Sequence, residues 1–220
     1  MDASPSTVQF PDRVYETYKD EPNLRDLKII LTIREPIARE LSMYNHMLYM
    51  HKTQDNPIPW VKLVAHTNGT AKSFTEFVDT VTIPHLDDLE QVSSIAQYYR
   101  FLSDWFTVFS PDQILLLSYE NDIKPGEPAK KRIQEFLRNP FPNSKRALSG
   151  PLPSYNVNDG DYKVKDIPCS VVDRLQPLLE SFHQQLYDLI ANTPRPTMEA
   201  NPWPKFEPPR CVHTAKDINT

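Results

Sequence analysis

The stretch that decides the fold is LKIILTIREPIARELSMYNHMLYM, residues 27–50. Its opening, LKIILTI, is a short apolar, β-branched run bounded by charge, which predicts a strand buried on both faces as in a parallel sheet. From Pro36 the period changes: Ile37, Leu41, Tyr44 and Leu48 recur at helical spacing and make one apolar stripe. Pro36 suits the first helical position, where a missing N–H leaves nothing unpaired. Between strand and helix stands Arg34. Ligands of open α/β sheets sit outside the carboxyl ends of the strands, and an arginine there can grip an anion through two parallel hydrogen bonds, beside the positive end of the helix dipole. Arg39, Ser42 and His46 fall on the side opposite the stripe, so the Ser42 hydroxyl can serve the same anion. The competing reading makes these three a solvated face and pairs Arg34 with Glu35 or Glu40.

Outward from this stretch, residues 1–26 are polar and irregular, with a short helix expected around DRVYETYKDEPNLRDL. After the helix, HKTQDNPIPWVKLVAHTNGTAKSF is polar and broken by proline, a surface excursion or short helical insert. SSIAQYYRFLSDWFTVF predicts a helix with Ile95, Tyr98, Leu102, Trp105 and Phe109 on one side, stopping at Ser110-Pro111. QILLLSYE follows as a second buried strand, and EPAKKRIQEFL as a helix entered through Pro128. PSYNVNDGDYKVKD offers hairpin arms at Tyr155 to Val157 and Tyr162 to Val164 about an Asn-Asp-Gly turn. SVVDRLQPLLESFHQQLYDLIAN is a helix with Ser170 and Asp173 as a capping-box start and Leu175, Leu179, Phe182, Leu186 and Ile190 as its stripe; Pro177 should kink or divide it. Two buried strands joined by helices imply an α/β class with a mainly parallel sheet, although two strands are few for such a sheet.

At 220 residues the chain is long enough for one domain with a real core. Lys and Arg number 24 against 29 Asp and Glu, a net charge of −5, so no global field attracts nucleic acid or an anionic membrane, and any bound anion needs a local site. No apolar run approaches membrane-spanning length and no signal-peptide pattern stands at Met1, so the residues read as soluble and untargeted. Prolines number 22 against 4 glycines, which excludes a glycine-rich phosphate loop. Prolines crowd NTPRPTMEANPWPKFEPPR, residues 192–210, which should run extended over the surface. Cys169 and Cys211 fit no zinc spacing; two unpaired thiols are the favoured reading and one disulfide between them the alternative. Asn68-Gly69-Thr70 is a glycosylation sequon that matters only in the secretory path.

IREPIARELSMY resembles the 3'-phosphate-binding element of sulfotransferases that use 3'-phosphoadenosine 5'-phosphosulfate (PAPS). In those proteins a strand ends in Arg-Asp-Pro, an Arg follows three residues after the Pro, and a Ser-x-Tyr comes three after that. The matching residues here are Arg34, Glu35, Pro36, Arg39, Ser42 and Tyr44, with Glu in place of Asp. Downstream, YYRFLSDWFTVFSPDQILLLSYENDIKPGEPAKKRIQEFL is similar to a run in the heparan sulfate and related carbohydrate sulfotransferases, with Tyr98, Leu102, Trp105, Gln113, Glu120, Arg132, Phe136 and Leu137 in the shared places. The likeness covers roughly residues 27–138 well and 166–191 loosely.

The resemblance implies a P-loop-NTPase-like three-layer sulfotransferase fold, a parallel sheet flanked by helices. It further implies transfer of a sulfuryl group from PAPS to a hydroxyl or amine of a carbohydrate, with no metal. Arg34 and Ser42 would hold the 3'-phosphate, while Tyr98, Trp105 and Glu120 read as core or capping residues. The family's 5'-phosphosulfate loop and its acceptor base lie before this element, and residues 1–26 hold no glycine, with Lys19 lacking a preceding strand. The catalytic residues are therefore unassigned, and the domain reads as N-terminally truncated. The expected division is a lead-in at 1–26, a partial sulfotransferase domain at 27–191 and a proline-rich tail at 192–220. Lys163 and Lys165 read as solvated charges, since the family's downstream Lys-Gly-Arg segment with its flanking Cys pair is not reproduced. A Golgi location follows from the resemblance if a longer N-terminus exists. A catalytically inactive nucleotide-binding or scaffold relative is the alternative function.

Overall fold

The computed structural model describes residues 10–55, 57–86, 97–137, 163–193 and 203–213. These residues fall into two compact units. The first is built on the strand pair that the sequence predicts: β1 (Ile29–Ile33) and β2 (Ile114–Ser118) run parallel, with Ile29 opposite Ile114 and Ile33 opposite Ser118. Alternation sends paired residues to the same face. On one face Ile29, Leu31 and Ile114 pack with Trp105 and Phe109, and with Val14 of α1 (Pro11–Tyr18). Trp105 lies on α4 (Tyr98–Val108). On the other face Leu115 and Leu117 pack against Ala129 and Phe136 of α5 (Glu127–Phe136). Helices on both faces of a parallel pair make this an α/β fold.

Every residue of β2 is buried, but β1 is not buried on both faces as its composition suggests: Ile30 is 41% exposed and Thr32 is exposed. The helix that covers Leu115 and Leu117 stands over β2, so the neighbouring positions on β1 reach water. Side chains fasten the ends. Gln113 donates from Nε2 to the carbonyls of Leu24 and Leu27, at 2.9 and 3.2 Å, and Lys28 Nζ donates to the Asp112 carbonyl, so the lead-in is tied to the start of β2. Ser110 leaves the helical region before Pro111, as predicted, and shares a capping box with Gln113. Gly126, at φ +84°, gives the left-handed residue that starts α5.

The second unit is built on α2 (Pro36–Thr53) and on the first part of α6 (Cys169–Asn192). The predicted stripe of α2 is its buried face: Ile37, Leu41, Tyr44 and Leu48 join a core with Phe74 and Phe77 of α3 (Phe74–Phe77) and with Val171, Leu175 and Leu179 of α6. The proline-broken excursion after α2 is no mere surface loop, because Val61 and Val64 on its short helical turn are fully buried. Asn45 reaches Val164 through both amide atoms, donating to its carbonyl and accepting from its N–H at 2.9 Å each, and so serves as a one-residue strand partner. The expected hairpin otherwise lies outside the described residues, as does Ile95.

α6 runs unbroken through Pro177, and it begins at Cys169, so Ser170 is inside the helix rather than its cap. The proline does not divide it, because Leu175 and Leu179 flank it and are fully buried, and that packing outweighs one absent backbone hydrogen bond. The two thiols are paired, contrary to the favoured sequence reading: Cys169 and Cys211 form a disulfide with their Cα atoms 4.9 Å apart. It sits where β3 (Ile167–Pro168) and β4 (Cys211–Val212) pair in parallel. The two cysteines are 42 residues apart, and no spacing rule joins them at that distance.

Glu40 is the costly residue of this core. It lies on the apolar side of α2, is fully buried, and accepts a 2.6 Å hydrogen bond from Thr82 Oγ1. Burial pushes its pKa up to about 7, and the Thr82 hydroxyl offsets only part of the shift. Thr82 ends a widened helical turn, Val78–Thr82, and that turn aims its hydroxyl at the acid.

Two outcomes follow. Converting both cysteines to serine frees a loop of this size in the unfolded chain and should cost about 4 kcal/mol, read as a lower urea midpoint. For Glu40 the folded chain binds the proton more tightly than the unfolded one, so stability is greatest below pH 4.5, falls towards pH 7 and is level above it. Glu40→Gln should lack that decline, so the difference between wild type and variant in urea titrations should fall by about 3 kcal/mol across this range, by the size of the shift.

Candidate functional site

The parallel register decides what surrounds Arg34. β1 ends at Ile33 and β2 at its partner Ser118, so Arg34 emerges beside Tyr119 and Glu120 at the carboxyl edge of the sheet. The guanidinium lies 4.5 Å from the Tyr119 ring centroid, and its Nε is 3.8 Å from Glu120 Oε1. The Arg34 backbone N–H donates to the Tyr98 hydroxyl at 3.4 Å. Side chains of Arg34 and Glu120 are 31% and 35% exposed, and Arg34 Nε is buried without a hydrogen bond among the described residues. This is a stacked cation with a loosely held counter-charge and unspent donors, a suitable receptor for an anion. Tyr98 and Glu120, read from sequence as core or capping residues, both contact Arg34 instead, whereas Trp105 is core as expected. Parallel pairing brings positions 34 and 120 together, and no local sequence pattern could have revealed it.

The edge is held rigid from behind. Arg132 donates to Asp122 Oδ2 at 2.5 Å and to the Leu116 carbonyl at 2.8 Å, and the same Asp122 oxygen accepts from the Ser118 N–H. Both partners are largely buried, so the pair fixes the turn that carries Tyr119 and Glu120. Arg132 is thus a positioning residue.

Glu35 and Glu40, the partners that the competing reading gives Arg34, both accept hydrogen bonds within the second unit. Glu35 caps α2, its two oxygens accepting from the N–H groups of Ile37 at 3.0 Å and Ala38 at 2.6 Å, and Glu40 is spent on Thr82. A longer acid in place of Asp therefore still satisfies the helix start. On α2, Ser42 and His46 are exposed and Arg39 is half-buried, as the helical phase requires; His46 stacks on Trp60. Tyr44 is a core residue: it donates to the Lys72 carbonyl at 2.6 Å, and burial raises its pKa. Lys165 is exposed and Lys163 half-buried.

A small cleft of the second unit, about 40 Å³, is lined by Glu35, Gln176, Glu180, His183 and Phe206. Burial lowers the His183 pKa, which favours its neutral form. The volume suits a water or two and not a nucleotide. Among the described residues no group of three or more His, Cys, Asp or Glu is arranged to hold a metal, and no helix is long and apolar enough to cross a membrane.

Comparison with known proteins places the chain in a family. No curated protein matches the chain. The chain is similar to a sulfotransferase from Alicyclobacillus acidocaldarius in its crystal structure, with a TM-score of 0.54 and 15% identity, over 86% of this chain and 63% of that one. The chain thus spans less than two thirds of the length of the protein whose fold it shares. A family model described as "Sulfotransferase domain" matches residues 15–149, which include β1, Arg34, α2, α4, β2 and α5. The chain belongs to the sulfotransferase domain family.

Proposed function

We propose that this protein moves a sulfuryl group from PAPS to a hydroxyl or amine of a carbohydrate, and that Arg34 and Ser42 hold the 3'-phosphate of the nucleotide. The observation that carries the reading is the stacked, partly exposed Arg34 guanidinium at the carboxyl edge of a parallel strand pair, with Glu120 only 3.8 Å from its Nε. A phosphate carries more charge than a carboxylate and accepts two parallel hydrogen bonds from a guanidinium, so it competes well for this arginine. Ser42 is an exposed hydroxyl on the helix that Glu35 caps, two turns from its start, and supplies a neutral donor. The carbohydrate acceptor rests on the likeness of residues 98–137 to the carbohydrate sulfotransferases.

In-line transfer needs the donor's phosphates held still while charge builds on the oxygen that leaves the sulfur. Holding the 3'-phosphate is the positioning part of that task. Arg34 would do it with a side chain whose orientation is already set by Tyr119 below and by the Tyr98 hydroxyl at its own backbone.

Titration calorimetry with 3'-phosphoadenosine 5'-phosphate tests the assignment. Wild type should bind, and Arg34→Ala should weaken binding roughly 10- to 100-fold, as loss of charge-assisted hydrogen bonds requires. Glu120→Gln should tighten it by up to about fivefold, because a competing half-exposed carboxylate is removed. Undetectable binding by folded wild type would overturn the nucleotide reading. Transfer of labelled sulfate from PAPS to a panel of glycans then tests the acceptor, and transfer only to small phenols would remove the carbohydrate.

A further inference from the structure

Asn68-Gly69-Thr70 forms the tip of a tight turn whose base is fixed and whose end is open. Ala65 and Ala71 pair across it, the His66 N–H donates to the Thr70 carbonyl at 2.8 Å, and the Gly69 N–H returns to the His66 carbonyl at 2.9 Å. Gly69 takes φ +81°, and nothing lies within 4 Å of where its Cβ would stand. Below the tip, Val64 is fully buried and the Lys72 carbonyl accepts from Tyr44, while all three tip residues are exposed. Within the triplet, the Thr70 hydroxyl and the Thr70 N–H both donate to Asn68 Oδ1, at 2.7 and 3.0 Å. The amide oxygen is thereby polarised and the amide nitrogen is left outside both bonds. A second and independent observation concerns the compartment. The Cys169–Cys211 disulfide closes a large loop onto an exposed strand, and such cross-links form and persist where the surroundings are oxidising.

We propose that Asn68 is an N-glycosylation site and that this domain folds in the lumen of the secretory path. The donor is a lipid-linked pyrophosphate oligosaccharide. A bond forms between Asn68 Nδ2 and C1 of the first N-acetylglucosamine, the bond from C1 to the pyrophosphate oxygen breaks, and the lipid pyrophosphate leaves. One Nδ2 proton passes to a base of the transferring enzyme, and nothing is oxidised or reduced. The finished fold accepts the product, since the glycan extends from an exposed tip and displaces no core residue.

The test uses the protein expressed from its complete natural transcript in cultured insect cells. An amidase that removes N-glycans should lower the apparent mass of wild type and convert Asn68 to aspartate in the tryptic peptide. Asn68→Gln and Thr70→Ala should migrate with the digested wild type, while Thr70→Ser should keep the full shift, which separates loss of the glycan from loss of the fold. Alkylation before reduction should leave Cys169 and Cys211 unlabelled. An unmodified Asn68 peptide in wild type would overturn the site. Labelled cysteines in the same sample would overturn the compartment, and the site with it.

Discussion

The parallel register of two five-residue strands is the constraint on which the candidate site depends. With Ile33 opposite Ser118, the residues that follow the strands leave the sheet at the same edge, and only then do Arg34, Tyr119 and Glu120 meet. A slip of one residue would turn every side chain to the other face and exchange the layers that cover Leu31 and Leu115. The two faces are closed by different groups, Trp105 and Phe109 on one and Ala129 and Phe136 on the other, so a slipped pairing fits neither. The core therefore specifies the register, and the register places the arginine.

Support for this edge is graded from behind to front. The Arg132–Asp122 pair is short and largely buried, and its oxygen also takes the Ser118 N–H, so it constrains backbone. Breaking such a pair leaves an uncompensated buried charge, a cost of about 3–5 kcal/mol, and that cost keeps the turn in one conformation. In front, Arg34 and Glu120 are longer apart and a third exposed, where an ion pair contributes at most about 1 kcal/mol. The rigid pair holds the position, and the loose pair can be exchanged for a ligand with little loss.

How much of this was legible follows from what each signal depends on. The strands, the stripe of α2, the stop at Ser110-Pro111 and the entry to α5 are local, written in spacing and proline, and they appear where the sequence puts them. Arg34 and Ser42 are proposed on signals of the same kind, position after a strand and helical phase. What escaped was tertiary. The sequence cannot show that Glu120 faces Arg34 from 86 positions away, that Cys169 meets Cys211, or that Ile30 reaches water beside a fully buried neighbour strand. Glu40 did leave a trace, because a charge three residues after Ile37 and four before Tyr44 falls inside the apolar stripe. Such a charge must be paired or protonated, and here a Thr82 hydroxyl and a raised pKa answer for it.

Glu35 shows why the exchange of Asp for Glu at the strand-to-helix junction leaves the motif's architecture whole. The residue is buried and its carboxylate is consumed by two backbone N–H groups of α2. It thus supplies the negative charge that the helix start requires. The cap thereby starts the helix that carries Ser42, and the exchange costs that helix nothing at its first turn.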